Sequence, residues 1–251
     1  MDRGTYAAAS AGMVKFRELE VINHNLANTN TVGYKRQILV SEKEPFEDTL
    51  ASKIAAGDPF AKGDHERVPT MVSVETVTDF SQGPLKQTGN PLDVALRNEN
   101  EFFVVNTPDG PQYTRAGNFT VGNEGLLVTS DGMPLAGEII INGPDARIGP
   151  DGTVTAGGQT VGKLQVVKFE DPSVLEPAGA TRFKIKDGAE GAPEQVQPEL
   201  EPFTVEMSNV SVISAVVQLI AANRGFEAYT KTAKAIDEMN QSGIQRIPGR
   251  G

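Results

Sequence analysis

The sequence predicts an α+β protein, with a mostly antiparallel, β-rich central domain flanked by long N- and C-terminal helices that pack together on assembly. Three observations predict it. Apolar residues recur at helical spacing near both ends of the 251-residue chain. Turn signals recur at short intervals between them. Charge divides the same way: of a formal net charge of −10, the whole acid surplus lies in the middle, where residues 41–200 carry 13 Lys/Arg against 25 Asp/Glu. Residues 1–40 carry five against three, and residues 201–251 five against five. On this basis the chain divides into an N-terminal helix and turn (1–35), an extended connector (36–80), a β-rich domain (81–203) and a C-terminal helix of coiled-coil type (204–251).

The first helix is read over residues 5–28. Met13, Phe16, Leu19, Ile22 and Leu26 fall on roughly one side, after an Ala-rich stretch whose small side chains allow close approach by another helix. It runs into Asn28-Thr29-Asn30-Thr31-Val32-Gly33-Tyr34, where Asn and Gly tolerate left-handed backbone and side chains bond the local main chain. Asn28, Thr31, Gly33 and Tyr34 form the turn. Residues 36–80 mix charges with Gly57, Pro59, Gly63 and Pro69 and read as a connector that orders on packing, with a weak helical piece over 49–56. Alternation through Met71, Ser73, Glu75 and Val77 predicts a strand leading into the middle.

The middle carries the turn signals Pro108-Asp109-Gly110, Asn123-Glu124-Gly125, Ser130-Asp131-Gly132, Pro150-Asp151-Gly152 and Gly157-Gly158. Each reverses the chain by positive or Pro-fixed φ, so an antiparallel sheet or partly closed barrel is expected. Phe102-Phe103-Val104-Val105 is a short apolar run. Residues 179–202, rich in Gly, Pro and Glu, read as a loop and linker leading out.

The last helix, read over about 209–242, has the most regular pattern. Val212, Ala215, Leu219, Ala222, Phe226, Tyr229, Ala233 and Ile236 alternate spacings of three and four, an a/d stripe over about four heptads. Ile213, Val216, Val217 and Ile220 widen the apolar face, so more than one partner helix is expected there. Ser208 or Asn209 is the expected N-cap, and Gly243 with Pro248 the stop. At 1.5 Å per residue such a helix spans roughly 50 Å, more than a small β-domain covers.

Site chemistry is mostly excluded. The chain has no cysteine, so no thiolate nucleophile or Cys-ligated zinc. His24 and His65 lie in different segments without a second ligand at zinc spacing. No phosphate-binding loop, nucleophile elbow, dinucleotide fingerprint or EF-hand ladder occurs. Paired carboxylates without Trp platforms do not suggest a glycosidase cleft. Neither cofactor nor metal is expected. The acidic surface disfavours nucleic acid, and no run of about 18 apolar residues predicts a membrane span. The N-terminus lacks the pattern of a cleaved signal, so a route out of the cytoplasm would be one that leaves it uncut.

The segment Asn25-Leu26-Ala27-Asn28-Thr29-Asn30-Thr31-Val32-Gly33-Tyr34-Lys35 resembles the N-terminal signature of bacterial flagellar rod and hook axial proteins. Thr88-Gly89-Asn90-Pro91-Leu92-Asp93-Val94-Ala95-Leu96, the Phe102–Val105 run and Tyr113-Thr114-Arg115-Ala116-Gly117-Asn118-Phe119 resemble their central block. Ser208-Asn209-Val210, with Asn223-Arg224 and Phe226-Glu227, resembles their C-terminal block. Asn98-Glu99-Asn100-Glu101 stands where that family usually has Gly. The blocks occur in the family's order, and within the family the likeness is strongest to proximal-rod members, with a distal-rod or hook-type axial protein as the alternative.

The resemblance implies a non-enzymatic subunit, exported unfolded through the flagellar type III apparatus and joining copies of itself and other rod proteins in a hollow periplasmic drive shaft. Its subunit-interface residues would be Met13, Phe16, Leu19, Ile22, Leu26, Asn28, Thr31, Gly33, Tyr34, Val212, Leu219, Phe226, Tyr229 and Ile236. The rival from another class is a secreted carbohydrate-binding or hydrolytic β-domain with oligomerisation helices.

Overall fold

The computed structural model describes residues 3–43, 72–189 and 191–245. The expected weak helix over 49–56, Met71 and His65 lie outside them. Helix α1 is Arg3–Ala27, and α2 is Val212–Gln245. The strands are β1 (Gln37–Lys43), β2 (Val72–Thr78), β3 (Leu85–Gln87), β4 (Val94–Leu96), β5 (Glu101–Thr107), β6 (Gly110–Thr114), β7 (Thr120–Val121), β8 (Leu127–Val128), β9 (Arg147–Ile148), β10 (Thr153–Ala156), β11 (Gln159–Lys163), β12 (Val166–Lys168), β13 (Leu175–Pro177), β14 (Arg182–Ile185), β15 (Glu194–Val196), β16 (Leu200–Pro202) and β17 (Thr204–Glu206).

This corrects the expected α+β class with long helices flanking a domain. The described residues are mostly antiparallel β-structure with two helices, a shorter N-terminal one of 25 residues and a C-terminal one of 34. The Asn28 turn stops α1, and chain reversals every few residues commit the rest to strands. Nor are the ends simple flanks. One compact unit gathers α1 to His24, strands β1 and β2 from Ile38 to Val77, and α2 from Ile213; a second holds residues 25–37 and 78–212.

The second unit is built on a six-stranded sheet in the order β13-β14-β6-β5-β12-β15, all antiparallel. The Pro108-Asp109 turn closes the β5–β6 hairpin, pairing Thr107 with Gly110. Gly157-Gly158 closes β10 onto β11, with both glycines at positive φ (57° and 78°) as a two-residue hairpin turn requires. The apolar run on β5 is buried on both faces. Phe103 and Val105 enter one core with Val94, Leu96, Phe119 and Leu127. Phe102 and Val104 enter another with Tyr113, Phe169 and Phe183. A strand covered on both sides reads as a continuous apolar run instead of an alternating one.

Residues 179–202 are not the expected linker, for they contribute β14, β15 and β16. Their polar composition suits short strands whose order comes from backbone pairing with β6, β12 and β4. The described chain has no helix long and apolar enough to cross a membrane.

Candidate functional site

In the second unit, the first two sequence blocks that carry the family resemblance meet at one buried carboxylate, two residues ahead of the Ser208-Asn209-Val210 block. Glu206 ends β17. Its Oε1 accepts from Lys35 Nζ at 2.6 Å and from the Gly83 N–H at 2.9 Å. Its Oε2 accepts from Arg115 Nε at 2.8 Å and lies 2.7 Å from Arg115 Nη2. The three side chains are 0–1% exposed. Lys35 also donates to Ser81 O at 2.7 Å, and Arg115 Nη1 to the carbonyls of Asn98 and Glu101, each at 2.6 Å. The Asn98–Glu101 segment thus fixes the guanidinium through two backbone carbonyls. Burial lowers the Lys35 ammonium's pKa, opposed by Glu206 and reinforced by Arg115.

Two asparagines tie the chain crossings around this cluster. Asn25 Oδ1 accepts from the Tyr34 hydroxyl and the Gln37 N–H, both at 2.9 Å, and its Nδ2 donates to Gln37 O at 2.7 Å. Asn209 Oδ1 accepts from the Arg36 N–H at 2.7 Å, and its Nδ2 donates to Asp79 O at 2.9 Å. Asn209 is thus engaged here, and α2 begins at Val212, later than the expected Ser208 or Asn209 cap. Gly33 sits at φ +71°, its N–H donates to Glu206 O at 2.8 Å, and an added Cβ would lie 2.3 Å from Ala116 N. Burial pushes the Tyr34 phenol up to about 12. Asp79 is penalised by burial, but hydrogen bonds from Ser81 and Arg36 outweigh this and hold its carboxyl below the usual range.

The first unit is different in kind. Along α2, Ala215 and Ala222 are buried, while Leu219, Phe226, Ala233 and Ile236 are half-buried. Phe226 meets Phe16 of α1, ring centroids 6.3 Å apart. Beside this seam, Ile213 is 81% exposed and Val217 62%, with Val216 and Ile220 also open. On α1, Val21 and Ile22 are buried, but Met13 is 74% exposed.

Of the sequence-expected interface residues, Met13, Phe16, Val212 and Tyr229 are exposed. Leu19, Leu26, Leu219, Phe226 and Ile236 are half-buried, as are Asn28 and Thr31, which bond each other at 3.1 Å. Ile22, Gly33 and Tyr34 are buried within the chain. Sequence reasoning missed Lys35, Arg115 and Glu206 as a set. The available signal was a charge set among aromatic, Gly or β-branched neighbours: Tyr34-Lys35, Arg115-Ala116-Gly117, Val205-Glu206. Among the described residues no group of three His, Cys, Asp or Glu could hold a metal ion.

Two family models match. Residues 98–156 match the flagellar hook protein FlgE/F/G D1 domain, and residues 203–246 the C-terminal domain of flagellar basal body rod FlgEFG proteins. The flagellar basal-body rod protein FlgF of Caulobacter vibrioides is 30% identical over 257 residues, covering 98% of each chain. FlgG of Bacillus subtilis is 34% identical over 260 residues, covering 96% of this chain and 97% of its own. FlgF of Salmonella typhimurium is 31% identical over 257 residues, covering 95% of each.

Proposed function

We propose an assembly role on one premise: the chain belongs to the family of flagellar basal-body rod proteins and is of the FlgF type. As such it is a structural subunit of the basal body and assembles with other flagellar components. Its finer role is a proximal-rod subunit that packs with copies of itself and neighbouring rod proteins into a hollow helical shaft, transmitting torque and catalysing nothing. It reaches the periplasm through the flagellar type III apparatus and binds no nucleic acid.

The observation that carries this reading is the second apolar face of α2. Ile213, Val217 and Ile220 stand half or more exposed on one stretch of helix, beside a seam where Phe226 meets Phe16 of α1. Soluble chains seldom leave such a contiguous apolar stripe open unless a partner covers it. Burying each of these side chains contributes on the order of 1.5–3 kcal/mol. Met13 and Phe16 extend the same kind of surface on α1, and Val212 and Tyr229 continue it on α2, with Leu219 and Ile236 half-buried in the seam beside it. Contacts between unlike patches on successive copies do not close into a ring and so generate a helical array. Gly33 and Tyr34 enter this reading indirectly, through the buried turn that ends α1.

The test is the double substitution Ile213→Asp/Val217→Asp in the native strain. Swimming on soft agar should be lost, and purified basal bodies should lack the rod beyond this subunit's position. The purified monomer should melt as the unaltered protein does. Normal swimming in that strain would overturn the reading. Labelling the subunit in intact basal bodies should put it at the proximal end of the rod; a distal position would instead favour the reading drawn from the FlgG relatives.

A further inference from the structure

The buried Lys35–Glu206–Arg115 cluster is arithmetically lopsided, with two cations on one carboxylate. Lys35 lies 171 positions from Glu206 in sequence, and Arg115 lies 91. Both cations belong to upstream segments, and Glu206 arrives with the last strand of its unit. Without it, the fold brings an ammonium and a guanidinium together at 0–1% exposure, where each is desolvated and each repels the other. Asp79, the other acid acting on Lys35, is committed to Arg36 at 2.6 Å.

The same segment delivers backbone closure. β16 pairs with β4 and β17 with β3. Phe203 N–H donates to Asp93 O and Met207 N–H to Pro84 O, each at 2.9 Å. Phe203, its side chain exposed, holds φ +61° to switch between the two ladders, an uncommon conformation for a bulky residue that is fixed by its backbone bonds to Asp93 and Thr88.

We propose that Glu206 is a charge latch: the two buried cations hold the second unit open until segment 204–209 docks and neutralises them. This stands on the geometry of the cluster and does not depend on the rod assignment.

The experiment uses full-length protein. Glu206→Gln keeps the side chain's size and an acceptor for Gly83 but removes the counter-charge. It should make residues 78–212 sensitive to protease and lower the melting temperature by about 10 °C or more. The triple variant Lys35→Met/Arg115→Met/Glu206→Leu, which removes all three charges, should recover protease resistance close to that of the parent. Pulse-labelled hydrogen exchange during refolding of the parent should show the amides of Val94 and Met207 gaining protection in one phase. An E206Q protein that melts with the parent overturns the latch. So does a triple variant as protease-sensitive as E206Q, or protection at Val94 clearly preceding that at Met207.

Discussion

The clasp around Glu206 and the open stripe of α2 treat their side chains in opposite ways. Around Glu206, charges are buried and each is met inside the chain, down to the backbone carbonyls that hold Arg115. On α2, apolar side chains are left in water, Ile213 at 81% exposure. The first pattern makes a fold self-sufficient. The second makes a surface that is complete only in company. Substitutions should therefore cost folding in one region and association in the other.

The sharpest break should come from the core that backs the clasp. Phe102 is fully buried and meets Phe80, Phe169 and Phe183 edge-on at 5.7–6.2 Å. Phe102→Ala should lower unfolding free energy in urea by roughly 3–5 kcal/mol. Next is a pair of identical changes with opposite signs. At Gly33, alanine would meet Ala116 N at 2.3 Å in a left-handed conformation, a loss of roughly 2–4 kcal/mol by the same measurement. At Gly12 a new Cβ meets nothing within 4 Å, so Gly12→Ala should raise α1 helicity by circular dichroism and stabilise by about 0.5–1 kcal/mol. Equal effects at the two glycines would erase the distinction between the regions.

Alkaline pH sharpens it further. The Tyr34 phenol is raised by burial to about 12, against about 10 in an unfolded chain. Between those values the folded state keeps a proton that the unfolded state sheds, so stability falls as pH rises from about 10 to 12. Tyr34→Phe should cost about 1 kcal/mol at pH 8 through the lost bond to Asn25. Its deficit in urea midpoint should shrink above pH 10; a deficit constant with pH would mean that the phenol ionises freely in the folded state. The smallest effect should be at the exposed Arg17–Glu20 pair of α1, 2.9 Å apart. Glu20→Gln should change stability by about 0.2–0.5 kcal/mol and lose that difference in high salt.

What could be read from sequence follows from how local each interaction is. The stripe through Leu219 and Phe226 announced α2, and Pro108-Asp109-Gly110 announced the β5–β6 hairpin, since both rest on contacts within a few residues. The extent of β-structure was underestimated at residues 179–202, where partners such as Leu96 for Leu200 lie a hundred positions away. The helix is described to Gln245, between Gly243 and Pro248, the two residues read as its stop. The aromatic run Phe102–Val105 signalled core but not that one strand serves two cores. The clasp was least legible of all. A lysine, an arginine and a glutamate far apart in sequence look like ordinary surface charge until the β-ladders bring them within 3 Å, and only their apolar or glycine neighbours hinted otherwise.

The clasp also fixes how tension would pass through the molecule. α1 continues into the turn that delivers Lys35, and β17 delivers Glu206 six residues before α2 begins. A pull applied between the chain's ends would otherwise run along the backbone through strand after strand, peeling ladders one hydrogen bond at a time. With Lys35 and Glu206 joined at 2.6 Å across 171 positions of sequence, and Gly33 bonded to the backbone of Glu206 at 2.8 Å, the pull bypasses the sheet and loads a few short contacts in parallel.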